Sequence, residues 1–533
     1  MVSLRKDTQA RRTNPPFRRV LIANRGEIAL RIMRACRELG MESVAVYSDA
    51  DATARHVRAA DAAVRIGPAP AGESYLRGDV IIAAAVETGA EAIHPGYGFL
   101  SEQSDFAHAC EAAGIVFVGP TPRTLASLGD KVAARRSARA VGVPIVPGMF
   151  KPLPADGAAA LPLMAAEAAR IGWPLMVKAS AGGGGRGMRR VDREADLPMA
   201  VAAASREAKA AFGDGSVYLE RLIEGARHVE VQLLGDSAGK VVAIGERDCS
   251  VQRRNQKLVE EAPAPGLSTE QRRHLHGLAV TIAGTVGLRN AATAEFLLTP
   301  AGEFFFLEVN ARLQVEHGVT ELVTGLDLVK EQFRIAAGEP LSAAVLAAAD
   351  ASSRPARHAI EVRISAEDPS RDFAPVPGTV THWREPGGPG VRIDGWVEEG
   401  TRVGPDYDPL MAKLLVVADD RPAAIARLRR ALDEFEIGGL QTTLPFHHWL
   451  ADLPDFVDAH LRTDLVARSW EPLPLRRIAA GHAAHAVAAH LLDATGGSSA
   501  AHTMGARPAT AATMTTGSGW HAAALREGTE RWP

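Results

Sequence analysis

Hydrophobic and polar positions change their period several times along the chain, and each change marks an element. Val20-Leu21-Ile22-Ala23 is an uninterrupted apolar run that stops at Asn24-Arg25-Gly26. Apolar residues then recur at helical spacing (Ile28, Ile32, Ala35, Leu39) up to Gly40, and Val44-Ala45-Val46-Tyr47 is again continuous. A buried strand, a helix and a second buried strand predict a βαβ unit, and with it a parallel sheet. The turn carries one glycine rather than G-x-G-x-x-G, which weakens a dinucleotide reading. Asp49 accordingly reads as a capping or turn residue rather than a ribose ligand. Further units run through "AEAIHPGYGFLSE" to "GIVFVGPTP", and the Pro/Gly-rich "VGVPIVPGMFKPLPADG" is the expected border to a second region.

In that region Trp173-Pro174-Leu175-Met176-Val177 predicts a short strand with Lys178 at its end, followed by four consecutive glycines in "KASAGGGGRGM". Glycine is costly to order, so a run of it calls for a reason. Backbone N–H groups in such a turn can converge on an anion, and absent side chains let a phosphate approach. No G-K-[ST] follows, so the loop is not a Walker A motif. The expected role is a mobile phosphate cover, with Lys178 neutralising charge.

A period of two appears after Phe304-Phe305-Phe306. Continued as a strand, it puts Glu308, Asn310, Arg312, Gln314 and Glu316 on one side and Val309, Ala311, Leu313 and Val315 on the other. Because the run follows an aromatic core strand, these polar groups are expected to line a cavity. Upstream, "TAEFLLTPAGEFFFLEVN" has the form of a hairpin turning near Pro300-Ala301-Gly302, which sets Glu295 within a residue of opposite Leu307 or Glu308. Two carboxylates and the amide oxygen of Asn310 make a hard-oxygen site suited to Mg²⁺ bridging substrate phosphates. "ERDCSVQRRNQK" supplies cations, and Arg253, Arg254 and Lys257 read as an anion site, with Cys249 structural.

Composition narrows the field. Sixty basic against sixty-three acidic residues argue against a general nucleic-acid or membrane binder. Three scattered cysteines form neither a disulfide framework nor a CxxC metal pair, which fits a reducing, cytoplasmic setting. The basic opening to residue 16 has no apolar core and reads as a disordered leader. Beyond "RSWEPLP" the chain turns Ala/Thr/Gly/Ser-rich, and His482, His485 and His490 read as a solvated alanine helix in a flexible tail rather than a metal cluster.

With these motifs in view, the chain resembles the biotin carboxylase family of ATP-grasp ligases from about Arg18 to Pro472. The resemblance rests on "IANRGEIALRI", "AIHPGYGFLSE", "GDK", "VKASAGGGGRGM", "RHVEVQ", "ERDCSVQRRNQK", "EEAPAP", "LEVNARLQVEH" and "EVRISAEDP". It implies an α/β protein: a disordered leader (1–16), a Rossmann-like N-terminal domain (17–130), an ATP-grasp domain (131–340) with a mobile glycine-rich lid at about 150–222, a C-terminal α+β domain (353–468), and a low-complexity tail (469–533). In that family ATP phosphorylates bicarbonate, and the carboxyphosphate carboxylates biotin at N1′. The resemblance puts Lys131, Lys178, Gly184, Gly185, Glu220, Arg221, Leu222, Ile223, His228 and Asn255 around ATP. Glu295, Glu308 and Asn310 match the Mg²⁺ or Mn²⁺ ligands, with two ions implied. Lys257, Arg312, Gln314 and the Val315 amide match the bicarbonate pocket. Glu316 would be the base for bicarbonate, and Arg363, with Tyr97, would meet biotin.

Three positions depart from the family pattern. Asn255 stands for a histidine, Arg221 for a lysine and Gly318 for a proline, which touches nucleotide affinity and loop stiffness. Lys413 is the last lysine, so nothing after it can accept biotin. The resemblance then implies a separate biotin carboxyl carrier protein and a carboxyltransferase as partners, and a homodimer or larger complex, as in acyl-CoA carboxylases of acetyl, propionyl or methylcrotonyl type. Alternatives are an acceptor such as urea, a non-biotin ATP-grasp ligase, or a catalytically silent nucleotide-binding partner. The segment "SGWHAAALREGTERWP" reads as either a docking element or the remnant of a longer spacer.

Overall fold

The computed structural model describes residues 15–129, 131–154, 160–180 and 188–471. The expected leader up to residue 14, the four glycines at 182–185 and the tail from 472 with its histidines lie outside the described residues. The first unit follows the sequence pattern closely. β1 (Arg19–Ile22) leads into α1 (Gly26–Leu39), which stops where Gly40 takes a left-handed φ of 75° and its N–H bonds back to the last turn. β2 (Glu42–Ser48), β3 (Ala62–Gly67), β4 (Ala92–His94) and β5 (Val116–Phe117) complete a parallel sheet in the order β3-β2-β1-β4-β5. The central strands are apolar on both faces because helices cover both. Asp49 meets Arg65 of β3 at 2.7 Å, a surface ion pair that accounts for it without a ribose.

A small antiparallel sheet comes next, in the order Leu153–Pro154, Ser216–Arg221, Leu175–Ala179, Arg189–Val191. The glycine run therefore joins two paired strands, Leu175 standing opposite Val191. Helices Ala160–Ile171 and Leu197–Phe212 close over this sheet around a separate core that includes Met164, Leu175, Val177, Val201 and Leu219.

The largest element is an eight-stranded antiparallel sheet. Its order is Phe304–Asn310, Asn290–Leu298, Arg227–Gly235, Val241–Arg253, Gln256–Ala262, His358–Ser365, Leu410–Ala418, Val391–Gly395. Strand Gln256–Ala262 pairs with strand His358–Ser365, Glu260 opposite Glu361, so one sheet runs across the border expected between the second and third regions. Helix His317–Thr324 packs on one face of it.

One expectation fails here. The strand after the aromatic run ends at Asn310 and does not continue to Glu316. Residues 311–316 leave the sheet in an irregular turn, and Glu316 is the N-cap of the helix that follows. Alternation thus places only Glu308 and Asn310, while Gln314 and Glu316 reach the same cavity through the turn. Gly318 does not loosen that helix: a Cβ there would collide with Leu415, whose side chain fills the space.

Candidate active site

Register across the large sheet brings distant acids into line. Glu308 stands directly opposite Glu295, Glu295 opposite Glu230, and Glu230 opposite Arg247. Residues directly opposite in neighbouring strands share a face. A second row sets Asn310 opposite Thr293 and Thr293 opposite Gln232. The fully buried Arg247 guanidinium joins the rows, donating to Glu230 at 2.6 Å, Gln232 at 2.8 Å, Thr320 at 2.9 Å and Thr293 at 3.1 Å. A buried charge is tolerable only when paired and hydrogen-bonded, and Arg247 is both.

Lys257 stands above these rows. Its ammonium lies 2.5 Å from Glu230 Oε2, 2.7 Å from Glu316 Oε1 and 3.0 Å from Glu295 Oε1. Arg363 approaches from the neighbouring strand, donating through Nη2 to Glu316 Oε2 at 3.0 Å and through Nε to Glu260 at 2.7 Å. Glu316, itself without exposed surface, is therefore held between two cations. Burial opposes its ionisation, but Lys257, Arg363 and Arg247 outweigh burial and hold the carboxyl well below the usual range. The same acids outweigh burial at Lys257 and keep it charged. Glu260 fares differently: burial pushes its carboxyl up to about 7 despite Arg363.

Around this core Arg312 donates to Gln314 Oε1 at 2.8 Å and to Glu102 at 3.0 Å. Asn310 donates to Glu295 at 2.9 Å, and His228 Nε2 lies 3.2 Å from the same carboxylate. Glu295, Glu308 and the Asn310 carboxamide oxygen form a donor set of hard oxygens, which fits Mg²⁺ or Mn²⁺. His228, Glu230 and Glu295 also bring ligand atoms within 4.8 Å of one another.

A second cluster lies at the small sheet. Glu220 pairs with Lys178 and, at 2.5 Å, with the buried Arg135. Leu222 and Ile223 follow that strand directly, the Leu222 N–H bonding Pro174 O at 2.9 Å. Burial pushes the Tyr218 hydroxyl up, and Glu220 and Glu308 both add to it. Lys131 begins helix Lys131–Ala140, but its side chain, like Gly184 and Gly185, lies outside the described residues.

Several residues stand apart from these clusters. Arg221 turns to the Ile171 carbonyl at 3.3 Å. Asn255 occupies the tip of a hairpin at φ 64°, a left-handed conformation that asparagine tolerates, near Met188 Sδ at 3.8 Å. Arg253 and Arg254, expected beside Lys257 in an anion site, both pair with Asp372 at 2.5 Å. Arg253 is the last residue of its strand and Arg254 lies in the turn after it. The Tyr97 hydroxyl bonds Glu27, and the Val315 carbonyl accepts from Lys413 at 2.8 Å. Glu27, Arg135, Glu230, Arg247 and Glu260 belong to these networks without having stood out in the sequence, where Lys413 stands out only as the last lysine. Register is the signal that finds Glu230: "RHVEVQ" aligned on Glu295 sets one acid opposite the other.

Family models match nearly the whole described chain: the biotin carboxylase N-terminal domain over residues 16–125, the ATP-binding domain of the carbamoyl-phosphate synthase L chain over 130–344, and the biotin carboxylase C-terminal domain over 361–468. The biotin carboxylase of Haemophilus influenzae is 50% identical over 438 residues, 82% of this chain and 95% of that one. A pyruvate carboxylase component of Methanothermobacter thermautotrophicus is 47% identical over 84% of this chain and 89% of its own. The dimeric biotin carboxylase domain of 2-oxoglutarate carboxylase from Hydrogenobacter thermophilus, solved with MgADP, ADP and bicarbonate, superposes with a TM-score of 0.80 at 45% identity, covering 85% of this chain and 97% of that one. Similarity of this depth over ordered motifs and a complete fold leaves one assignment: the chain belongs to the biotin carboxylase family, ATP-grasp ligases that carboxylate biotin at the expense of ATP.

Proposed function

We propose that this chain activates bicarbonate with MgATP and transfers the carboxyl group to biotin borne by a separate carrier protein. The observation that carries the reading is Glu316, an ionised carboxylate held between Lys257 and Arg363. Lys257, Arg312, Gln314 and the Val315 amide bind bicarbonate, and Glu316 takes its proton. The oxygen so freed attacks the γ-phosphorus of ATP, the bond to the β-phosphate oxygen breaks, and ADP leaves with carboxyphosphate formed. The carboxyl carbon then passes to N1′ of biotin as its bond to the phosphate oxygen breaks, the departing phosphate takes the N1′ proton, and Arg363 neutralises the charge that develops on the biotin ureido oxygen, with Tyr97 beside it. Lys178, Glu220, Arg221, Leu222, Ile223, His228 and Asn255 surround the nucleotide together with Lys131, Gly184 and Gly185. Glu295, Glu308 and Asn310 would hold the divalent ions, which supply charge neutralisation for the phosphates.

The solved relative with MgADP and bicarbonate supports this ligand set, and its dimer supports a homodimer here. Residues 414–533 contain no lysine, so none of them can carry biotin. No helix among the described residues is long and apolar enough to cross a membrane. Pyruvate and 2-oxoglutarate carboxylases both stand among the relatives, so the final acceptor is the variable part of the family. ATP cleavage measured with and without bicarbonate and free biotin tests the reading. Cleavage should require bicarbonate and rise with biotin; bicarbonate-dependent cleavage indifferent to biotin would point to another acceptor.

A further inference from the structure

The face of the large sheet beneath helix His317–Thr324 carries charge where a helix usually meets apolar side chains. Across it Arg363 stands opposite Lys413, and Lys413 opposite Asp394. Lys413 has no exposed surface. Its ammonium donates to the Val315 carbonyl at 2.8 Å and lies 3.1 Å from Glu27 Oε1, and the Glu27 carboxylate in turn accepts the Tyr97 hydroxyl. Val315 immediately precedes Glu316, and the same turn is closed at its other end by His317 Nδ1 donating to Gln314 O at 2.8 Å. One buried ammonium therefore joins α1 and the loop after β4, the turn that presents Glu316, and the strand Leu410–Ala418.

The charges facing Lys413 come from every element around it. Glu27 lies on α1, Glu361 and Arg363 on strand His358–Ser365, Asp394 and Arg392 on strand Val391–Gly395, and His317 on the helix above. Burial works against the ammonium, but Glu27, Glu361 and Asp394 outweigh it and keep Lys413 protonated. Replacing a buried ion pair by apolar residues of similar volume is often neutral or stabilising, so stability alone is a weak reason for this arrangement. Geometry is the better one, because a fixed donor defines where a carbonyl sits.

We propose that Lys413 is a positioning residue for the bicarbonate pocket, holding the Val315 carbonyl so that the Gln314–Glu316 turn keeps its shape, with Glu27 and Tyr97 holding Lys413. The inference rests on the assignment of Gln314, Val315 and Glu316 to bicarbonate made above. It makes the pocket depend on contacts among segments matched by all three family models.

The test is steady-state kinetics on the full chain with bicarbonate varied at saturating MgATP, alongside calorimetric MgATP binding and thermal unfolding. Lys413→Met keeps the length and removes the donor, and should raise KM for bicarbonate at least ~10-fold, the equivalent of one lost charge-assisted hydrogen bond. MgATP affinity should stay within ~2-fold. Lys413→Arg, which restores a donor, should recover part of the loss. Glu27→Gln, which leaves Lys413 in place without its counter-charge, should raise KM by ~3-fold and carries the test alone if Lys413→Met does not fold. A folded Lys413→Met or Glu27→Gln protein with a lowered Tm but normal KM for bicarbonate would show a purely structural role and overturn the proposal. Failure of the underlying reading looks different: the unmodified chain itself would then show no bicarbonate-dependent ATP cleavage, and the proposal would fall with it.

Discussion

The five-stranded parallel sheet and the eight-stranded antiparallel sheet solve burial in opposite ways. Val20, Leu21 and Ile22 of β1 lie between helices with no exposed surface, and the neighbouring strands contribute Val44, Val46 and Ile93 in the same manner. Two histidines buried there are kept neutral: burial pushes the His56 ring down to about 4 and the His94 ring down to about 3. The larger sheet buries Glu230, Arg247, Glu316, Glu361 and Lys413 on its strands or under its helix, and keeps most of them charged by pairing. One sheet is a scaffold whose side chains need only fit. The other accepts a desolvation penalty, and that penalty marks where anions and metal are to be handled.

The largest expected effect breaks the comparison at Arg247. Arg247→Met takes from Glu230 one of its two cationic partners and leaves the buried Gln232, Thr293 and Thr320 oxygens without their donor. It should lower stability by ~3–5 kcal/mol, whereas Ile22→Val in β1 should cost ~0.5–1.5 kcal/mol. Chemical denaturation of the two variants measures both; equal losses would mean that the charged rows are no more demanding than an apolar core. Next in size is Glu316→Gln, which keeps the shape and one of the two acceptor oxygens that Lys257 and Arg363 use, but removes the proton acceptor. It should lower kcat for bicarbonate-dependent ATP cleavage by ~100-fold with MgATP binding unchanged. If Glu316 only orients its neighbours, KM for bicarbonate rises and kcat survives.

The smallest effect separates the two sheets by pH. A histidine whose folded value is depressed contributes stability that is present above about 6.5 and is lost as pH falls toward the folded value. For His94 that window runs from about 6.5 down to about 3. The parallel sheet should therefore lose protection from hydrogen exchange as pH drops from 7 to 5, by at most ~1.4 kcal/mol per unit for each such histidine. His94→Gln should flatten the dependence, and an unchanged slope would show that His94 does not set it.

Much of the scaffold was legible because apolar periodicity is a local signal. β1, α1 and β2 fell where the runs and Gly40 put them, and the hairpin count set Glu295 within a residue of opposite Leu307 or Glu308, the second of which it faces. The site was legible in part, through motifs more than through spacing. Alternation misled beyond Asn310, because a period of two cannot announce the turn that ends a strand. Arg253 and Arg254 looked equivalent to Lys257, yet Asp372, more than a hundred residues away, claims both. Arg247 and Glu260 stayed unremarked, and Lys413 stood out only as the last lysine, for a related reason: a charged residue alternating along a strand looks solvated until a helix is known to cover it. Such pairings are long-range, and only the assembled register shows them.

Strand Gln256–Ala262 and strand His358–Ser365 bond to each other across the stretch where the second and third family models leave a gap. A chain severed in that gap would yield two fragments, each with a bare strand edge of unpaired backbone groups. Such edges invite pairing with whatever strand comes near. Here each edge is the other's native partner, so the two fragments are built to reassociate by complementation and poorly built to live alone. The seam between the models divides the sequence, while the hydrogen-bonded ladder makes the two sides one folding unit.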